Sequence, residues 1–231
     1  MLTFEHDGVE VIEEYLSLAA CDAMLSDVRA YAASHELPLI VREGRGRALR
    51  YRVIDGDAIH ASLPSVTRLY DGVLRLVQQR DPRLEPVAGH RASVNVNVTP
   101  PGGEYRWHYD QYAATAIVFL NAVHGGETEM YPSFRIRLAR WTGSWLQRAL
   151  DWLLGLFVLV ARLVVVAPVP GRVILMRGDR CLHSVRRVVS GERISVVMSF
   201  DVPGARSRTT EALDLYLYTA TPSPAFDPNY R

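Results

Sequence analysis

Two stretches hold the side chains best suited to chemistry. Trp107-His108-Tyr109-Asp110 and, far downstream, Leu182-His183-Ser184-Val185 together offer two imidazoles and one carboxylate. If His108 and Asp110 lie on a strand or its fraying end, the two-residue period of a strand sends both to one face. His183, arriving on a neighbouring strand, then closes one triangular face of an octahedron. Two neutral imidazoles and a carboxylate suit Fe(II), and they leave three adjacent positions for a chelating co-substrate and O2. A structural zinc site would close its shell with four ligands, usually including thiolates, and Cys181 could supply one; that alternative stays open. In a chain with 7 His and 25 acids, His-x-Asp alone is a weak signal. What surrounds it must carry the case.

Arg193 stands ten residues after His183, at the head of the apolar string ISVVMSF. A guanidinium embedded there is costly unless it faces an anion, and a carboxylate matches its donor fork. The alternative places Arg193 just outside the fold, paired with Glu192 or water. A strict two-residue hairpin at Ser190-Gly191 would put His183 and Arg193 on opposite faces, so an odd-length turn or bulge is expected between them. Asn95, Asn97 and Thr99 share the polar face of a strand that begins near Arg91, facing either a pocket or solvent. Tyr105 is open between pocket and packing. His124 reads as a loop residue, and His6, His35, His60 and His90 have no partner at ligand spacing.

The elements that position these groups can be read from periodicity. Met24, Leu25, Val28, Tyr31 and Ala32 recur at helical spacing, as do Val66, Leu69, Tyr70, Val73, Leu74 and Val77, with Ser62 as the expected cap and Pro64 in the first turn. Both predict helices that buttress a sheet. Between them REGRGRALRYR crowds Arg42, Arg45, Arg47, Arg50 and Arg52 around two glycines, as a solvated loop or a lid over an anionic substrate. From Arg91 onward the runs AATAIVFL, VVVAP, RVILM and ISVVMSF are short, β-branched and separated by Gly/Pro turns, which suggests an antiparallel sandwich or barrel.

One stretch breaks the pattern. Trp145 to Leu163 is apolar nearly all round in its second half, yet Arg148, Asp151 and Arg162 leave too short a run for a membrane span. A helix buried against the domain or a second copy, a membrane-interface helix and a hydrophobic substrate lid are the three readings.

Composition narrows the classes. The 231 residues, 48% hydrophobic, fit one domain, and a net charge of +1 argues against nucleic acid as a partner. All 26 basic residues are Arg, so lysine Schiff bases, a P-loop lysine and lysine-anchored pyridoxal phosphate are excluded. Two distant cysteines, Cys21 and Cys181, and an acidic N-terminal stretch fit a cytoplasmic protein, with membrane association left to the apolar stretch.

The wider pattern resembles the 2-oxoglutarate/Fe(II)-dependent oxygenase superfamily, and within it the prolyl 4-hydroxylase-like branch. Gly102-Gly103-Glu104-Tyr105-Arg106-Trp107-His108-Tyr109-Asp110, then Gly125-Gly126-Glu127-Thr128, Pro170-Gly171-Arg172, and His183 followed by Arg193 occur in the family's order over Arg91 to Asp201. The resemblance implies a double-stranded β-helix (jelly roll) over 91–203, a helical support over 1–90 and a tail over 204–231. It implies His108, Asp110 and His183 as ligands of Fe(II), and Arg193 as the anchor of the distal carboxylate of 2-oxoglutarate. Ser195, Thr99, Tyr105 and Asn97 complete the expected co-substrate pocket, with Thr99 standing where several members have a tyrosine. The implied reaction consumes O2, decarboxylates 2-oxoglutarate to succinate and hydroxylates an unactivated C–H bond. Related halogenases replace the acid of the triad, and Asp110 is retained. A small or medium-sized metabolite, with room for an apolar portion, is the expected substrate; a prolyl or peptidyl hydroxylase and a non-catalytic jelly-roll binding or membrane-associated interaction protein are the alternatives.

Overall fold

A computed structural model describes residues 2–43, 47–87, 89–136, 145–156, 161–204, 217, 218 and 220, without the side chains of His90, Trp145 and Arg148. Most of the expected tail, part of the Arg-rich loop and residues 157–160 of the apolar stretch lie outside the described residues.

The described strands are antiparallel and form two main sheets. The larger runs β1 (Val9–Ile12), β11 (Val173–Met176), β7 (Ala114–Phe119), β14 (Arg193–Asp201), β5 (Val94–Thr99), β3 (Leu49–Ile54) and β2 (Leu39–Arg42), with β4 (Glu85–Pro86) also on β14. The smaller runs β10 (Val164–Val166), β9 (Thr128–Tyr131), β12 (Leu182–Val185) and β6 (Tyr105–His108), and a short pair joins β13 (Val188–Ser190) to β8 (His124–Gly125).

Alternation along the central strands explains the layering. Ile194, Val196, Met198 and Phe200 of β14, with Val94, Val96 and Val98 of β5, pack into a core shared with α1 (Leu18–Ser34) and α3 (Pro64–Arg80). The opposite face of the same strands carries Arg193, Ser195, Val197 and Ser199, and Asn95, Asn97 and Thr99. Towards β1 that inner face is sealed by apolar contact with the smaller sheet, where Ile117, Phe119, Ile174 and Met176 meet Met130, Val166 and Cys181. The fold is therefore helices on a large sheet, and that sheet facing a small one, the jelly-roll arrangement the sequence suggests.

One local expectation needs correction. Ser62 does not cap α3: it ends a separate helix α2 (Gly56–Ser62), and α3 starts at Pro64 with no side-chain cap. Pro64 at the first helical position has its φ preset for the helix and lacks one of the N–H groups a helix start leaves unpaired, which is why the start tolerates Leu63. Of the two readings open for the polar face of β5, pocket or solvent, the structure takes the first, since the strand is buried along its whole length. Its asparagines face an internal cavity.

The apolar stretch forms α5 (Trp145–Gly155). Among the described residues, no helix is long and apolar enough to cross a membrane.

Candidate active site

His108 and His183 meet as a directly opposed pair on β6 and β12, with ring centroids 4.1 Å apart. The register then shifts, so that Val185 opposes Tyr105 and the two-residue step on β12 faces a three-residue step on β6. This bulge lets Tyr105 and His108 both line the inner cavity despite their odd spacing. Asp110 lies just beyond the end of β6, where its N–H donates to the Gly178 carbonyl at 2.9 Å.

Each imidazole is fixed by a backbone acceptor. His108 Nδ1 lies 2.8 Å from the Arg106 carbonyl and His183 Nδ1 lies 3.0 Å from the Cys181 carbonyl. A carbonyl only accepts, so each Nδ1 carries the proton and each Nε2 presents a lone pair inward. Those Nε2 atoms lie 3.6 Å and 3.5 Å from Asp110 Oδ1. The other carboxylate oxygen, Oδ2, accepts from the Thr115 hydroxyl at 2.5 Å. Two nitrogens and one oxygen thus converge within 4.8 Å of one another, with no thiolate in the group. Cis ligands at bonds of roughly 2.1 Å lie about 3 Å apart, so small movements seat a cation here. Cys181 contributes only its carbonyl; its thiol is buried in the apolar core, which pushes its pKa up and disfavours the thiolate a zinc site needs.

Burial, then the proximity of His183, lowers the pKa of His108 below the ordinary imidazole value, although Asp110 opposes this. A neutral imidazole is the form that binds metal.

Arg193 sits on the facing sheet and lines the same cavity. His183 and Arg193 are therefore not two arms of one hairpin: the chain leaves the small sheet after Val185, pairs briefly as β13 with β8, and enters the large sheet at Arg193. The face-parity expectation assumed one sheet, and opposed sheets remove it. Arg193 is 2% exposed. It donates to Ser195 Oγ at 2.9 Å and Thr128 Oγ1 at 3.2 Å, and lies 5.0 Å over the Phe119 ring. Among the described residues no carboxylate pairs with it, and its Nε has no partner. Burial pulls its pKa down to about 10. A buried cation without an acid is chemically suited to receiving an anion. Gly126, at φ +71°, leaves room for it, since a Cβ there would lie 3.0 Å from Arg193 Cδ.

Of the expected co-substrate residues, Tyr105 and Asn97 line the cavity, Asn97 with a buried Oδ1 that lacks a partner. Ser195 and Thr99 stand behind them: Ser195 holds Arg193, and Thr99 Oγ1 lies 3.5 Å from the Tyr105 hydroxyl. The cavity, about 110 Å³, adds residues that sequence reasoning did not single out, among them Tyr51, Gln111, Tyr112 and Tyr218. Thr115, Thr128 and Gly178 were missed as well. The Gly-Gly-Glu-Thr turn could have pointed to Thr128; nothing local marks the others.

The Arg-rich loop is tethered at one end. Arg47 donates to Glu129 at 2.5 Å and Ser184 at 2.7 Å, while Arg186 holds the other oxygen of Glu129 at 2.7 Å. Burial alone would raise the Glu129 pKa, but the two guanidinium groups outweigh it and keep the carboxylate charged. Arg45 and its flanking glycines lie outside the described residues.

Sequence comparison finds the same class. The model of the 2OG-Fe(II) oxygenase superfamily matches residues 93–200. No curated protein matches the chain at significance. The fold is similar to that of the non-heme alpha ketoglutarate dependent carbocyclase SnoK from nogalamycin biosynthesis, at TM-score 0.72 and 14% identity over 97% of this chain and 91% of that one. It is also similar to a Pseudomonas putida prolyl-4-hydroxylase, at TM-score 0.59 and 19% identity over 87% and 96%. A Trichoplax adhaerens prolyl hydroxylase gives TM-score 0.64 and 15% identity, with 90% of each chain covered. Residues 93–200 belong to the 2OG-Fe(II) oxygenase superfamily, and the chain has the fold of its prolyl 4-hydroxylase-like branch. It is a 2-oxoglutarate-dependent dioxygenase, with Fe(II), 2-oxoglutarate and O2 as its cofactors.

Proposed function

We propose that the chain hydroxylates an unactivated C–H bond of a small or medium-sized, uncharged, ring-bearing metabolite. In this reading His108, Asp110 and His183 hold the iron, and Arg193 receives the distal carboxylate of 2-oxoglutarate. The single observation that carries it is one buried cavity shared by three converging ligand atoms and a guanidinium without an acid. When bound, the iron supplies O2 activation coupled to decarboxylation of the co-substrate. The protein's own residues orient the ligands, bind the carboxylate and exclude water.

The lining beyond Arg193 supports the substrate class. Tyr51, Tyr109, Tyr112 and Tyr218 surround the remaining space with Asn95 and Gln111, and the charged groups on the described wall are those of the metal and co-substrate sites. Such a wall offers stacking surface and neutral hydrogen-bonding groups, and little to stabilise a charged substrate. The Tyr218 hydroxyl accepts from Asn95 Nδ2 at 3.3 Å, and the Tyr51 hydroxyl donates to the Leu217 carbonyl at 2.7 Å, so Leu217 and Tyr218 line this cavity beside the tyrosines and leave less room there for an extended peptide.

Succinate release in the presence of Fe(II), 2-oxoglutarate and O2 tests the reading. Neutral aromatic or alicyclic compounds should stimulate it several-fold above the uncoupled rate. Stimulation by proline-rich peptides and by none of those compounds would establish a peptidyl hydroxylase instead.

A further inference from the structure

The helix α5 is inside out. Gln147 and Asp151, one turn apart, are 2% and 8% exposed, whereas Leu146, Trp152, Leu153 and Leu156 are 51%, 66%, 48% and 60% exposed. A helix on a globular surface normally does the reverse. The inward polar face is built, because Arg135 clamps Asp151 with bonds of 3.1 Å and 2.7 Å, and Gln147 donates to Asp151 at 2.9 Å and to the Ile136 carbonyl at 3.0 Å. Ile136, beside that carbonyl, is itself 56% exposed and extends the apolar surface. A row of large apolar side chains held outward by buried polar contacts marks a docking face.

The charge pattern selects the partner. Between residues 135 and 163 the sequence carries five arginines (135, 137, 140, 148 and 162) and one acid, Asp151, which Arg135 already engages. Three of the four tryptophans of the chain, Trp141, Trp145 and Trp152, fall in the same stretch. An arginine excess in the sequence flanking an amphipathic helix that presents tryptophan and leucine is the composition that lies at a lipid interface, apolar side chains in the headgroup–acyl boundary and cations among the phosphates. The helix has 11 residues, about 16 Å at its usual rise, far short of a bilayer's apolar core, so it fits flat on the surface.

We propose that α5 docks the protein onto anionic lipid membranes, with Leu146, Trp152, Leu153 and Leu156 inserted and the helix parallel to the surface. The docking face connects to the active site through Arg135, whose guanidinium lies 4.6 Å over the ring of Tyr109, the neighbour of His108 and Asp110. Docking requires neither the metal nor the co-substrate and is independent of the substrate class proposed above.

Flotation of the full chain with phosphatidylcholine vesicles, with and without phosphatidylglycerol, tests this. Binding should be confined largely to the vesicles containing phosphatidylglycerol and fall as salt rises. Trp152→Glu with Leu153→Glu should reduce partitioning on the order of tenfold or more, and Arg162→Ala roughly fivefold at low salt. All three side chains are exposed, so both variants should keep the parent's melting temperature and metal binding. Failure of the parent to float, or undiminished binding by the double variant, would overturn the proposal. So would a concentration-dependent dimer, dissolved by Trp152→Glu with Leu153→Glu, in a chain that ignores vesicles.

Discussion

His108 and His183 are cross-strand neighbours, opposed in one antiparallel register with their Nε2 atoms both turned towards Asp110 Oδ1. Two imidazoles this close and this buried cannot both be charged, and the lowered pKa of His108 follows from that burial and the proximity of His183. In the metal-free protein the unfolded chain therefore binds a proton near pH 6.5 that the folded chain refuses. Stability is intact above that value and declines as pH falls below it, by up to about 1.4 kcal/mol per pH unit. The lowered Glu129 and Asp81 carboxyls act only further down, below their ordinary values near 4.5 and 3.8. Chemical denaturation of metal-free protein between pH 7 and 5 should show this decline, and His108→Gln should flatten it.

Arg193→Met separates function from stability. The guanidinium is buried without an acid, and a methionine of similar length removes that cost but leaves the buried Ser195 and Thr128 hydroxyls without the donor they now accept from. The two effects oppose each other, so the metal-free variant should stay within about 1 kcal/mol of the parent. Its half-saturating 2-oxoglutarate concentration should rise about a hundredfold or more, because a buried charge-assisted contact is lost. Arg193→Lys keeps charge without the fork and should recover only part of that affinity. Thermal melts and succinate release over a co-substrate series measure both effects.

Gly178→Ala should damage the metal site without replacing a ligand. A Cβ there would lie 2.7 Å from Asp110 Oδ2 and 2.5 Å from Thr115 Oγ1, so Asp110 must move. Metal affinity should fall roughly 10–100-fold, as it does when a ligand's supporting contact is disturbed. Thr115→Val, which deletes the hydroxyl on Oδ2, should weaken binding in the same direction by less. Mn(II) titration of both variants checks the order.

Glu129→Ala tests the tether of the Arg-rich loop. It strands Arg47 and Arg186 beside Ser184, on the outer side of the strand that carries His183. A loss of about 1–3 kcal/mol is expected in chemical denaturation. Arg186→Ala, more exposed and leaving Arg47 in place, should cost less.

The sequence carried the converging His108, Asp110 and His183 and the layer order because both rest on short-range patterns. His108, Asp110, His183 and Arg193 sit in motifs of fixed spacing, and the alternation in β5 and β14 assigns one face to the helices and one to the cavity. What was not legible depends on which strands oppose. The bulge that turns Tyr105 inward, the crossing between sheets that unites His183 with Arg193, and the approach of Gly178 to Asp110 are tertiary facts with no local signature. The same holds for α5: its periodicity announces an amphipathic helix, and only the Arg135–Asp151 clamp reveals which face points in.

Anaerobic titration of metal-free protein with Fe(II), followed by 2-oxoglutarate, tests the central claim most directly. One iron per chain should bind, and 2-oxoglutarate should bind tightly only after it; His183→Ala should lose both steps and Arg193→Met only the second. Stoichiometric iron binding by His183→Ala, or tight 2-oxoglutarate binding that needs neither iron nor Arg193, would contradict the account.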